Sequence, residues 1–132
     1  MKKKSVLDAF ALLAYLEGED GHAKVMDLMA SSAAELLING INVGEVYYIV
    51  ARAHGMQAAD HFLTVILPSL PITVVDNSFD DVIEAARLKA CHAISYADCF
   101  AAALAIRVHA PIVTGDPDFR KLGKAVAVDW LG

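Results

Sequence analysis

The segment SYADCFAAALA, residues 95–105, places Asp98 at the start of a predicted helix made of small and apolar side chains. Residues three, four and seven positions apart share a helix face, so this carboxylate is aligned with Ala101, Ala102 and Ala105. Such a face packs closely on a sheet, where a carboxylate is costly unless it is paired, hydrogen-bonded or bound to a cation. No buried lysine is predicted as its partner, so the pattern indicates a hard divalent cation.

Three further acids occupy comparable places in the sequence. Asp8 closes the short β-rich run SVLD, and Asp116 follows the run PIVT. Glu45 lies in the first turn of a predicted helix, where Tyr48 and Ile49 share its face and indicate that it points inward. Sites in parallel sheets lie beyond the carboxyl ends of the strands. The sequence therefore predicts that these three acids and Asp98 surround one small volume at that edge of the sheet.

Each of the four acids also has a purely structural interpretation. Asp8 and Asp116 both fit helix N-caps, the second of them because a proline follows it. The pattern from Asn42 to Glu45 resembles a capping box, and so does the Ser-x-x-Asp pattern that ends at Asp98. The inward direction predicted for the last two acids argues against capping as their whole role.

The elements that must position these acids alternate between strand and helix. The predicted strands are SVLD (5–8), LLINGI (36–41), ITVV (72–75), PIVT (111–114) and VAVDW (126–130). The predicted helices cover residues 9–19, 22–30, 43–55, 57–67, 78–90 and 96–109, with Pro68 and Pro71 closing the fourth. This alternation predicts an α/β fold, with a mainly parallel central sheet and helices on both faces.

The composition limits the classes of protein that this chain can be. Its 132 residues suit a single domain with one packed core. The hydrophobic share of 57% is high for a soluble domain and predicts an apolar surface that is covered in a homodimer or by a partner. A formal net charge of −5 argues mildly against a nucleic-acid partner, although the objection weakens when the acids gather around a metal.

Signals for other compartments and other metals are weak. Asp8 interrupts the apolar stretch after the N-terminal lysines, which argues against a secretory signal, and no apolar run reaches the roughly 18 residues of a membrane span. A soluble, cytoplasmic protein is therefore predicted. Cys91 and Cys99 lack a metal or pairing pattern and are predicted to be reduced core residues. The histidines show no zinc-ligand spacing.

Four segments together resemble the signature segments of PIN domains in order and spacing. They are VLDAFALLAYL, INVGEVYYIV, ISYADCFAAALA and PIVTGDPDF. The similarity is greatest to the VapC-type toxins, which are the ribonucleases of type II toxin–antitoxin pairs in prokaryotes. It covers nearly the whole chain, so residues 1–132 are expected to form one PIN-like nuclease domain.

The resemblance implies a metal-dependent endoribonuclease that holds Mg²⁺ or Mn²⁺ and hydrolyses RNA phosphodiester bonds. Carried over position by position, the metal-site carboxylates are Asp8, Glu45, Asp98 and Asp116. Glu45 is either a further ligand or the group that orients the attacking water. Asp118 matches a position that reaches a second metal through water, or it is a first-turn partner of the helix dipole. Thr114 matches a position that contributes a hydroxyl near the site, or it is a strand-end residue bonded to backbone.

The resemblance further implies an RNA substrate, a cognate antitoxin protein and a homodimer. Two alternatives remain open at this point. One is a PIN-type nuclease in RNA processing that has no antitoxin, and the other is a non-catalytic α/β binding module whose acids are only caps. Asp76 also follows a predicted strand, but no family motif falls there, and it is predicted to be structural.

Overall fold

The computed structural model describes residues 1–132 and contains one five-stranded sheet. The strands are β1 (Lys3–Leu7), β2 (Ala34–Asn39), β3 (Ile72–Val75), β4 (Ile112–Thr114) and β5 (Val128–Trp130). The α-helices are α1 (Ala9–Glu17), α2 (His22–Ala30), α3 (Gly40–His54), α4 (Met56–His61), α5 (Leu67–Ser69), α6 (Phe79–Cys91) and α7 (Tyr96–Arg107). A π-helical segment (Phe62–Ile66) joins α4 to α5, and a 3₁₀ helix (Pro117–Ala125) lies between β4 and β5.

All neighbouring strands are parallel, in the order β3-β2-β1-β4-β5. Alternate residues of the central strand face opposite sides of the sheet, as the pleat requires. Val6 packs into a core with the buried alanines of α7, whereas Leu7 packs into a second core with residues of α1 and α3. The predicted parallel sheet with helices on both faces is confirmed.

The junction between β2 and α3 differs from the predicted one. The side chain of Asn39 accepts a hydrogen bond from the backbone amide of Ile41 at 2.9 Å. Its amide group also exchanges hydrogen bonds with the side chain of Asn77, at 2.8 and 2.9 Å. Asn39 is therefore the N-cap of α3, and the capping box predicted to begin at Asn42 is wrong.

The helix predicted over residues 57–67 continues beyond its predicted end. The π-helical segment has a widened turn, in which the amide of Leu67 donates to the carbonyl of Phe62. This turn directly precedes Pro68, whose ring would clash with the preceding turn of an ordinary α-helix. The chain therefore keeps its helical course through the proline and ends it at Ser69.

The 3₁₀ helix between β4 and β5 is not predicted by hydrophobic periodicity. Two of its side chains, Phe119 and Leu122, are 1% and 4% exposed and anchor it in the core beneath α7. The short segment therefore has a fixed position, and the acids at its start are held against the end of β4.

The two cysteines lie in different environments. Cys99 is buried in α7, as predicted, but Cys91 is exposed at the end of α6, and its prediction as a core residue is wrong. Cys91 lies outside the packed side of α6, where Ala85 is the one fully buried residue. None of the helices combines the length and the apolar character needed to cross a membrane.

Candidate metal centre

Three carboxylates come together at the carboxyl edge of the sheet. Side-chain oxygens of Asp98, Asp116 and Asp118 all lie within 4.8 Å of one another, and all three residues are half-buried. Asp98 comes from the first turn of α7, and the other two come from the start of the 3₁₀ helix. We call these three residues the acidic group.

The loop after β4 holds two members of the acidic group in place. Asp116 is the N-cap of the 3₁₀ helix, as predicted, and its Oδ1 accepts a hydrogen bond from the amide of Asp118 at 2.9 Å. The backbone amide of Asp116 donates in turn to the hydroxyl of Thr114 at 3.0 Å. The carboxylate of Asp118 forms a salt bridge of 3.2 Å with Lys121 one turn later.

Helix α7 presents the third member over a face of small residues. Ser95 is the N-cap, and its hydroxyl accepts a hydrogen bond from the amide of Asp98 at 3.1 Å. Residues 99–105 behind it are all buried, so the predicted packing of this helix is confirmed. Burial raises the pKa of Asp98 to about 6, against the opposing effect of the Ser95 hydroxyl and with a further increase from the charge of Asp116.

Asp8 lies deepest in the site and is 2% exposed. It is the N-cap of α1, since its Oδ1 accepts from the amide of Ala11 at 2.9 Å, and its Oδ2 accepts from the hydroxyl of Thr114 at 2.5 Å. Burial raises the pKa of Asp8 to about 7 despite these two hydrogen bonds, and the charges of Asp98 and Asp116 raise it further. The charges of Asp98 and Asp116 therefore act on Asp8, although Asp8 is not a member of the acidic group.

Glu45 approaches the same edge from α3. Its Oε1 accepts a hydrogen bond of 2.9 Å from the side-chain amide of Asn42, which also donates to the carbonyl of Ala97 at 3.2 Å. Burial raises the pKa of Glu45, the bond from Asn42 opposes this effect, and the charge of Asp116 adds to it. The inward direction predicted from the neighbouring face residues holds only partly, because Glu45 is half-buried and Tyr48 is 45% exposed.

Asn42 is fully buried and links α3 to the first turn of α7, so its replacement tests how the two helices are aligned. We expect Asn42→Ala to lower the free energy of unfolding by about 1 kcal/mol, because the hydrogen bond from this side chain to the carbonyl of Ala97 is lost. The same change frees the Glu45 side chain. Urea denaturation gives the stability, and Gln57→Ala, which removes an exposed side-chain amide on α4, is the matched control. Equal effects of the two changes would contradict this role.

The arrangement fits a hard divalent cation. Of the five acids predicted for the site, only Asp118 forms a salt bridge, so the other four have no cationic partner within the protein. Mg²⁺ binds oxygen ligands at about 2 Å, so oxygens on opposite sides of one ion lie about 4 Å apart. The oxygens of the acidic group, which all lie within 4.8 Å of one another, are close enough to reach one such ion.

The structure and the sequence rank the acids differently. The sequence gives Asp118 either a role at a second metal or one as a partner of the helix dipole. Its carboxylate lies in the acidic group, whereas Asp8 and Glu45 lie outside that group. The sequence pattern indicates only a capping role for Asn42. The one available signal was its position three residues before Glu45, which puts both side chains on one helix face.

Comparison with known proteins assigns the chain to a family. Residues 5–125 match the family model described as PIN domain, which is most of the chain. The chain belongs to the PIN domain family. No curated protein sequence matches it significantly.

Solved structures with the same fold include VapBC complexes and a VapC toxin. VapBC2 from Rickettsia felis, bound to a promoter DNA fragment, aligns with a TM-score of 0.75 and 17% identity over 96% of this chain and 98% of the other. VapC20 from Mycobacterium tuberculosis, described as a sarcin-ricin loop cleaving toxin, aligns with a TM-score of 0.75 and 19% identity over 90% and 95%. DNA-bound VapBC from Salmonella typhimurium aligns with a TM-score of 0.75 and 15% identity over the full length of both chains. The predicted resemblance to VapC-type toxins is confirmed for the fold.

Proposed function

We propose that this protein is a Mg²⁺- or Mn²⁺-dependent endoribonuclease and the toxin of a type II toxin–antitoxin pair. The observation that carries the proposal is the acidic group, three converging carboxylates at the carboxyl edge of a PIN fold. Capping does not explain this convergence. The cap at Ser95 uses the backbone amide of Asp98 and makes no use of its carboxylate. This convergence favours a nuclease over a binding module.

The acidic group would hold the ion, with its remaining ligands supplied by water and substrate phosphate. A bound divalent ion supplies charge stabilisation for the scissile phosphate and for the leaving oxygen, and it favours deprotonation of the attacking water. Hydrolysis joins the water oxygen to phosphorus and breaks the bond from phosphorus to the leaving ribose oxygen, which takes up a proton. The chain must therefore position one water and one phosphate.

Glu45 is placed to orient the attacking water. Asn42 holds its Oε1, whereas its Oε2 has no protein partner and can accept a hydrogen bond from water. Since Glu45 lies outside the acidic group, we assign it this role in preference to that of a ligand. Asp8 adds negative charge behind the group, and Thr114 fixes it by bonding both Asp8 and the amide of Asp116.

The role as a toxin is supported by the fold and by exposed apolar side chains. Large apolar residues that are 42% to 62% exposed continue from α3 to the π-helical segment, and they are Tyr48, Met56, Leu63 and Val65. Such a surface is typical of a protein interface. We propose that a cognate antitoxin and a second copy of this chain cover the apolar surface in the cytoplasm. A solved toxin–antitoxin complex from Klebsiella pneumoniae has the same fold.

Cleavage of RNA is the direct test of the proposed activity. Purified protein is incubated with total cellular RNA in Mg²⁺ or Mn²⁺, beside an EDTA control and Asp98→Asn purified in the same way. We expect discrete RNA fragments only for the wild type with metal. Equal cleavage by the variant would mean that the activity comes from a contaminating nuclease, and absence of cleavage by folded protein would contradict the proposal.

A growth experiment separates a toxin from a processing nuclease. Expression of the chain alone is expected to arrest growth, and Asp98→Asn is expected to restore it. Co-expression of the protein encoded by the adjacent gene is expected to restore growth as well and to form a complex with the chain. Normal growth with active nuclease would favour the alternative of an RNA-processing enzyme without an antitoxin.

A further inference from the structure

A cleft of about 260 Å³ opens at the loop that carries Asp116. Its lining includes Phe10, Gly115, Pro117, Arg120, Trp130 and Leu131. Gly115 and Pro117 flank Asp116 in the chain, so the cleft shares a wall with the proposed metal site. Asp20 is the only acidic side chain in the lining. We call this the aromatic cleft.

Backbone pairing holds Trp130 beside the site. It lies in register with Thr114 in the neighbouring strand, and the amide of the next residue, Leu131, donates to the carbonyl of Thr114 at 3.0 Å. From the other side, Lys24 donates to the carbonyl of Trp130 at 2.9 Å and pairs with Asp129. The indole is thus attached to the strand end that leads into the acidic group.

Arg120 is a cation without an acidic partner. It is exposed on the 3₁₀ helix and forms no salt bridge, and its guanidinium carbon lies 5.0 Å from the centre of the Trp130 ring. Arginine on an aromatic face presents a charge for phosphate beside a surface for stacking. The protein carries a formal net charge of −5, so a polynucleotide must find such cations locally.

Phe10 supplies a second aromatic ring to the cleft and is 43% exposed. Its ring lies so close to Gly115 that a Cβ atom there would be 2.4 Å from Phe10 Cε1. Only a glycine allows the ring this position against the loop that carries Asp116. An exposed aromatic ring in such a place is available for a base.

We propose that the aromatic cleft binds a nucleotide of single-stranded RNA next to the scissile phosphodiester. Its base packs against the exposed ring of Phe10 and the open part of the Trp130 ring, and a phosphate contacts Arg120. The inference rests on the proposed function, since it takes the acidic group as the place of cleavage. Stacking on an aromatic face needs an unpaired base, so the cleft selects single-stranded segments over duplex.

Intrinsic fluorescence tests this proposal because Trp130 is the only tryptophan of the chain. The Asp98→Asn protein is titrated in Mg²⁺ with a mixed-sequence oligoribonucleotide of about eight nucleotides, which it binds without cutting. Anisotropy of a labelled oligonucleotide measures binding independently. We expect quenching of Trp130 that saturates together with the anisotropy.

Arginine variants distinguish RNA binding in the aromatic cleft from nonspecific attraction of RNA to positive charge. In the same background, Arg120→Gln is expected to weaken binding about tenfold. Arg52→Gln is the matched control, because its guanidinium carbon lies 5.1 Å from the ring centre of Tyr48 on α3, and it is expected to leave binding unchanged. RNA binding without quenching of Trp130 would overturn the proposal, and so would equal effects of the two variants. Either result is expected if the aromatic cleft holds an antitoxin segment instead of RNA.

Steady-state kinetics distinguish substrate binding from a structural role. In the otherwise wild-type enzyme, Trp130→Ala is expected to raise KM about tenfold with kcat nearly unchanged, and Trp130→Phe to restore KM. A fall in kcat alone would contradict the role of the aromatic cleft in substrate binding. Cleavage by the wild type without quenching overturns only this inference, whereas quenching without any cleavage overturns only the proposed nuclease activity.

Discussion

Asp116→Asn is expected to lower metal-dependent RNA cleavage by about a thousandfold. The substitution removes one charge from the acidic group but retains an oxygen that can accept the hydrogen bond from the amide of Asp118. The 3₁₀ helix therefore keeps its cap, and the loss reflects metal binding and phosphate stabilisation. Single-turnover cleavage rates and titration with Mn²⁺ measure both effects.

Two matched substitutions sharpen this prediction. Asp118→Asn is expected to cost only about tenfold, because this carboxylate is already partly neutralised by its salt bridge of 3.2 Å to Lys121. Asp76→Asn changes an exposed acid that also follows a strand and forms no side-chain hydrogen bond, and it is expected to have no effect. Retention of full activity by Asp116→Asn would exclude the acidic group as the reaction centre.

Asp8→Asn is expected to stabilise the metal-free protein at pH 8 by about 2 to 4 kcal/mol while it lowers cleavage at least about tenfold. Burial raises the pKa of Asp8 from 3.8 to about 7, so the folded protein favours the protonated carboxyl and loses stability when that group ionises. An asparagine fills the same space without a charge. The protein thus tolerates a costly buried carboxylate at the place where a cation is proposed to bind.

The sign of the pH dependence follows from the same shift. A raised pKa in the folded state gives stability that is fully present below about pH 4 and is lost as the pH rises to about 7. Asp98, with its pKa raised to about 6, acts in the same direction. Urea denaturation in EDTA should therefore show lower stability at pH 8 than at pH 5, and Asp8→Asn should reduce this difference.

The same denaturation experiment includes added Mn²⁺ and a control substitution at the protein surface. Saturating Mn²⁺ is expected to restore stability of the wild type at pH 8, because it binds the ionised carboxylates of the folded state. Asp76→Asn is expected to keep the wild-type difference between the two pH values. An Asp8→Asn protein as unstable at pH 8 as the wild type would contradict the assignment of the cost to this carboxylate.

Local pattern determined much of this protein. The alternation of apolar runs specifies the five strands and the helices between them, since both depend on residues close in the chain. The parallel arrangement follows because helices join successive strands. The caps at Asp8 and Asp116 are equally local, because a side chain there bonds an amide two or three residues ahead. The rule that parallel strands share one carboxyl edge then places Asp8 and Asp116, which follow strands, at that edge.

The tertiary structure alone decided which groups share that edge. Asp118 meets Asp98 from another element, Thr114 bonds Asp8 across 106 positions of the chain, and Trp130 reaches the site through its pairing with β4. Strand order and register set these encounters, and neither can be read from local periodicity. The exposure of Cys91 depends in turn on which side of α6 packs against the rest of the protein. A residue's neighbours in sequence determine its helix or strand, but burial and charge partners depend on chain segments far away in the sequence.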